Sequence, residues 1–125
     1  MKLEQEVEQF LKEKYNMSDF NAYQRSASKT AIYPIEHRIL YPALGLAGEA
    51  GEVANKVKKL IRDGPDGRPD DWREQISSEI GDVLWYCAAL ATDLNLTLGM
   101  IASQNEKKLS ARKDAGTIGG SGDNR

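Results

Sequence analysis

A chain of 125 residues with 40% hydrophobic and 29% charged side chains has the balance of one globular domain, which excludes a wholly disordered or fibrous chain. A formal net charge of −2 leaves no basic excess to displace the counterions of a nucleic-acid polymer. Cys87 is the single cysteine, no apolar run approaches a membrane span, and the acidic, amphipathic start MKLEQEVEQF is unlike a signal peptide, so a reduced, cytoplasmic protein is expected.

The chain reads as helices throughout. Leu3, Val7, Phe10 and Leu11 recur at helical spacing, predicting a short first helix over residues 2–14 that packs on the rest. Ser18 or Asp19 caps a second helix through Phe20, Tyr23 and Ala27, which carries Gln24 on a polar face. Tyr33-Pro34 breaks it, since the residue before proline avoids the helical region. His37 is the sole histidine and has no Glu-x-x-His spacing, so it reads as a surface or capping residue. Pro42 suits the first turn of a central helix that runs to about Arg62. Leu46, Val53, Val57, Leu60 and Ile61 are its expected core stripe. Gly45, Gly48 and Gly51 each cost that helix up to about 1 kcal/mol relative to alanine, which suits close approach of a backbone or ligand.

Residues 63–70 hold two prolines and two glycines and form a loop. Asp70 or Asp71 caps the next helix, where Trp72, Ile76, Ile80, Val83, Cys87, Leu90 and Leu94 give the clearest apolar period in the chain. Trp85 and Tyr86 read as core aromatics ahead of base-stacking ones. Asn95 ends that helix, and Thr97 caps a last one to about Lys113. The ending AGTIGGSGDNR lacks core residues. The expected organisation is therefore an all-α domain over residues 1–114, a four- to five-helix bundle, followed by a flexible glycine-rich tail over 115–125.

Within this frame the acids are unusually placed. Residues 45–60, GLAGEAGEVANKVKKL, put Glu49, Glu52 and Lys56 on one helical stripe with Lys59 at its margin. A second acidic pair, Glu79 and Asp82, follows in EIGD on the next helix. Both Glu52 and Asp82 lie roughly 16 Å from the intervening turn. An antiparallel hairpin then sets Glu52 level with Asp82 and gathers four carboxylates. Such a cluster needs a cation, and all-oxygen ligands favour a hard one such as Mg²⁺, with Mn²⁺ as a substitute. Asn105, Lys108 and Arg112 share a face of the last helix, an amide and two cations suited to a sugar or base plus phosphate oxygens, or else a solvated basic face.

The ExxE and ExxD pairs, in the settings GLAGEAGEVANKVKKL and EIGDVLWYCAAL, resemble the MazG-type nucleotide pyrophosphohydrolases of the all-α NTP pyrophosphohydrolase superfamily. The resemblance extends to NEKKLSARKDAG and to YQRSASKTAIYP. It implies Mg²⁺ held by Glu49, Glu52, Glu79 and Asp82, and hydrolysis of a (d)NTP between its α and β phosphates to a (d)NMP and pyrophosphate. One of these carboxylates, or an outer-sphere one, would act as general base. Lys56, Lys59, Asn105, Lys108, Arg112 and Gln24 are the implied substrate contacts, with some of the lysines holding the carboxylates instead. The resemblance also implies a homodimer or a dimer of dimers in which a second subunit completes the nucleotide pocket. A di-iron carboxylate bundle is disfavoured because it wants Glu-x-x-His pairs. The remaining alternative is a non-catalytic helical module that binds nucleotide or a partner.

Overall fold

The computed structural model describes residues 2–15 and 19–124. Among them lie five α-helices and no strand: α1 (Lys2–Tyr15), α2 (Phe20–Ser28), α3 (Leu40–Gly67), α4 (Trp72–Asp93) and α5 (Leu98–Asp114), with a 3₁₀ turn at Ile35–His37 that carries the exposed His37. The all-α architecture is as expected. Helices α3 and α4 form the long hairpin, α2 packs on α4, and α5 packs on α2 and α4.

Helix ends follow local chemistry. The Asp19 carboxylate accepts the Ala22 N–H at 2.7 Å, starting α2; Ser18, the other expected cap, lies outside the described residues. Thr97 does the same for α5 through the Met100 N–H at 3.2 Å, after Asn95 has turned the chain with a positive φ of 57°. At the α3–α4 turn, Gly64 takes φ 69° and breaks the helix where the loop was expected, yet Pro65 begins one further helical turn before the chain extends at Arg68. Asp71 flanks α4 but caps it differently from expectation. Its carboxylate accepts from the Gln75 side chain at 2.9 Å, not from a helix N–H.

The core is small and built of small residues. Ala27, Ala88, Ala91 and Leu98 form its centre, with Tyr23, Trp85 and Cys87 packed around them. Alanines on α2 and α4 let the two helices approach closely, and polar bonds fix the junction. Gln24 is buried and uses its whole amide: Nε2 donates to Thr92 Oγ1 at 3.0 Å and to the Leu96 carbonyl at 2.9 Å, and Oε1 accepts the Leu98 N–H at 2.8 Å. Trp85 packs against this core, as expected, and donates its indole N–H to Thr30 Oγ1 at 2.8 Å. Truncating Gln24 to Ala leaves the buried Leu98 N–H unpaired. It should cost about 1–3 kcal/mol, read as a lowered Tm with helical content retained before melting.

Three apolar expectations are corrected. Leu46, Val53 and Leu60 of α3 turn inward as expected, but Val57 and Ile61 are 40% and 81% exposed. They continue an outward stripe with Leu40, Leu44, Ala47 and Ala54, because α3 carries apolar residues on two faces and α4 covers only one. On α4, Ile80 and Leu94 are likewise exposed. On α1, Leu3, Val7 and Phe10 are exposed where packing was expected, and the side chain of Leu11 lies outside the described set.

A strained joint sets where α3 begins. Ile39 has φ 68° and ψ −57°, and the Leu40 N–H reaches the Arg38 carbonyl at 2.7 Å, a γ-turn of the rare kind. Asp93 holds it from α4, accepting the Ile39 N–H at 2.9 Å and the Tyr33 hydroxyl at 2.8 Å. Burial and then that hydrogen bond push the Tyr33 phenol up to about 12. Anchored here, Tyr33 stacks on Tyr41 with ring centroids 4.6 Å apart, and α3 leaves along α4.

Candidate metal centre

The register of the hairpin is read from its cross-contacts. Gly45 faces the ring of Tyr86 so closely that a Cβ there would overlap it, Glu49 meets Asp82 and Glu79, and Lys59 and Leu60 share a cavity with Trp72. Residue numbers rise on α3 as they fall on α4, so the helices are antiparallel as expected. The match is offset from the expected one: Glu49, not Glu52, comes level with Asp82, because α4 starts opposite Lys59 and Leu60 rather than beside the end of α3.

Glu49, Glu79 and Asp82 each bring one carboxylate oxygen within 4.8 Å of the others. Glu49 and Glu79 are half-buried and Asp82 is exposed, so the trio sits at the wall of the hairpin with one side open. Glu52 is exposed and lies outside this group. Lys56 places its Nζ 3.7 Å from Glu79 Oε1, one ammonium set against three carboxylates. The excess negative charge has a direct consequence. Hydrogen bonding with Glu79 holds the Glu49 carboxyl above its ordinary range, and partial burial and the charges of Asp82, Glu79 and Glu52 add to it. The donor set is oxygen only, which fits a hard divalent cation and not a thiophilic or imidazole-seeking one.

Beside the trio the hairpin walls a cavity of about 120 Å³, lined by Lys56, Lys59, Leu60 and Asp63 on one side and Trp72 and Gln75 on the other. The guanidiniums of Arg68 and Arg73 lie 5.3 and 5.1 Å from the Trp72 ring. On the other flank Tyr86, one turn beyond Asp82, packs edge-on to Trp85 at 5.0 Å and tilted to Tyr41 at 6.3 Å. Burial, then Tyr41, then the charges of Glu49 and Asp82 raise its phenol. This tyrosine cluster beside the acids was not anticipated as a unit; the repeated Tyr-Pro at 33–34 and 41–42 was its signal. Of the three α3 glycines expected to serve a close approach, Gly45, Gly48 and Gly51, only Gly45 does so. A Cβ at Gly48, Gly51 or Gly81 would meet open space.

The remaining expected contacts are dispersed. Gln24 is spent on the α2–α4–α5 junction, beside Thr92, which lies ten residues past Asp82 and so about 15 Å along the helix. Asn105 and Lys108 are exposed on α5. Arg112 is only 7% exposed, because the C-terminal segment covers it and accepts from its guanidinium.

Residues 40–117, which hold the entire hairpin and α5, match the MazG nucleotide pyrophosphohydrolase domain. The chain belongs to the MazG family. It is also 48% identical over 110 residues to the Gene 37 protein of Mycobacterium phage L5, an alignment covering 82% of this chain and 96% of that one. No solved structure matches significantly. All three clustered acids of this MazG domain fall inside the matched region, as do Lys56, Lys59, Asn105, Lys108 and Arg112, whereas Gln24 and the Tyr33 anchor precede it.

Proposed function

We propose that this MazG domain is a Mg²⁺-dependent nucleoside triphosphate pyrophosphohydrolase that converts a (d)NTP to a (d)NMP and pyrophosphate. The observation that carries the reading is the trio Glu49, Glu79 and Asp82, three converging carboxylates with one lysine, on a hairpin inside the family match. These residues would hold the ion, with Mn²⁺ able to substitute. A divalent ion so held neutralises triphosphate charge and acidifies water at neutral pH.

The chain's own groups do the rest. Lys56 steadies the Glu79 carboxylate from 3.7 Å. Lys59, on the wall of the adjoining cavity, supplies positive charge for phosphate oxygens. Glu52 lies one turn from Glu49 and outside the trio, and its uncommitted carboxylate is assigned the role of general base, accepting the proton of the attacking water. Tyr41 and Tyr86 offer an aromatic flank for the nucleoside. The substrate is a free nucleotide rather than a polymer, encountered in the cytoplasm, and the working unit is a homodimer or a dimer of dimers.

The test is a panel of NTPs and dNTPs with Mg²⁺, scoring monophosphate and pyrophosphate separately. Release of pyrophosphate from at least one supports the reading. Saturable NTP binding with no pyrophosphate from any member would establish the non-catalytic binding module instead.

A further inference from the structure

Beyond α5 the chain doubles back along the helix. The Thr117 N–H donates to the Arg112 carbonyl at 2.7 Å. Gly116, Gly120 and Gly122 take φ of 71°, 89° and 84°, left-handed values that let so short a segment reverse. The reversal delivers Asp123 to two cations of α5, with its Oδ1 3.3 Å from Arg112 Nη2 and 3.4 Å from Lys108 Nζ. The same Nη2 donates to the Asp123 carbonyl at 3.1 Å and lies 3.5 Å from that of Gly122.

The two sides of this contact are unequal. Arg112 is buried and fixed on a helix, whereas the Asp123 side chain is 83% exposed and borne on a segment of glycines and serine. A cavity of about 320 Å³ remains open beside them, lined by Lys108, Ala111, Arg112, Ala115, Thr117 and Asp123. The arrangement is a preformed cationic seat with a water-exposed anion resting in it. A carboxylate oxygen shared by arginine and lysine makes the contact a phosphate oxygen would make, but it brings one charge and no second group to bridge the cavity. Ion pairs to so exposed a carboxylate contribute little, so an anion of higher charge can replace it.

We propose that the C-terminal segment is a displaceable latch: Asp123 fills the Lys108–Arg112 seat in the resting chain, and a polyphosphate anion expels it and binds there. The seat follows from the contacts alone. That its natural occupant is the triphosphate or the pyrophosphate product rests on the hydrolase reading above. On that reading the latch screens Arg112 until substrate or product arrives.

The experiment uses the full chain, ¹⁵N-labelled and free of divalent metal. Inorganic pyrophosphate is titrated while the amides of Gly119, Gly120 and Gly122 are followed by NMR, with sodium chloride at matched ionic strength as control. The expected result is a saturable shift of these amides toward unstructured positions that chloride does not produce. Asp123→Asn, at an exposed site, should start partly displaced and bind pyrophosphate about two- to fivefold more tightly. Arg112→Lys should retain the fold, keep one charge and weaken pyrophosphate binding. Tail amides that respond to pyrophosphate no more than to chloride, or an Asp123→Asn protein with unchanged affinity, overturn the latch. A tail that is displaced in a protein that hydrolyses no nucleotide would sink the hydrolase reading and leave the latch standing.

Discussion

Asp82→Asn, or Glu79→Gln, should reduce hydrolysis by more than about 100-fold, since even outer-shell partners of a metal site cost 10- to 100-fold when removed. The same substitutions should leave the metal-free protein as stable as wild type or more so, because each removes a charge from a cluster of three carboxylates that, among the described residues, has a single cation, Lys56, paired with it. The two effects of opposite sign separate a metal site from a structural one. The pH dependence follows from Glu49, whose carboxyl is held above its ordinary range, first by the hydrogen bond with Glu79 and then by burial and its acidic neighbours. With the folded-state value above the unfolded one, the stability due to the shared proton is fully present below the unfolded value. It is lost as pH rises through the folded one. The metal-free protein should thus melt progressively lower as pH climbs out of the carboxylate range toward neutrality. A divalent ion favours the ionised form, so its binding should release protons and strengthen with pH over the same window. Thermal melts across pH, with and without Mg²⁺ or Mn²⁺, test both statements. A wild-type melting curve that ignores pH and metal alike would remove the trio from consideration as a metal site.

How much of this was legible in the sequence depended on what decides each feature. The acidic hairpin was readable because an i,i+3 pair on each of two helices joined by a short loop leaves little geometric freedom. Which glutamate of the first pair turns inward was not. Glu49 and Glu52 differ by only about 60° around α3, and the choice between them rests on where α4 begins, which the extra turn at Pro65 and the extended chain at Arg68 determine. The face of α3 that packs was ambiguous for a related reason. Periodicity marks both Leu46, Val53 and Leu60 and the stripe of Leu44, Val57 and Ile61, and only the position of α4 tells them apart. Arg112 shows a third kind of limit. Its alignment with Lys108 was visible, but its partner Asp123 arrives through left-handed glycines, a path that no helical period encodes.

The outward stripe of α3 carries the last prediction. The chain exposes 9677 Å², whereas a folded monomer of its 13.9 kDa mass exposes about 6,700 Å² by the usual size scaling. The exposed α1 residues contribute to the difference of roughly 3,000 Å², but so does a continuous apolar face: Leu40, Leu44 and Ile61 are 56%, 65% and 81% exposed, with Ala47, Gly51 and Ala54 between them. Side chains that small let another helix lie close, and an obligate interface buries about 2,000–5,000 Å² in total. Light scattering at micromolar concentration should therefore give at least twice the mass of one chain. Leu44→Glu or Ile61→Glu would bring a carboxylate into that contact, where an unpaired charge costs several kcal/mol, so each should shift assembly toward monomer by on the order of 100-fold or more. Both positions point about 120–140° away from Glu49 around α3, so the monomeric variants should still bind Mn²⁺. They should lose turnover only to the extent that the second subunit completes the nucleotide pocket. A single-chain mass for the wild type would refute the assembly, and full turnover by a monomeric Ile61→Glu protein would show that each hairpin works alone.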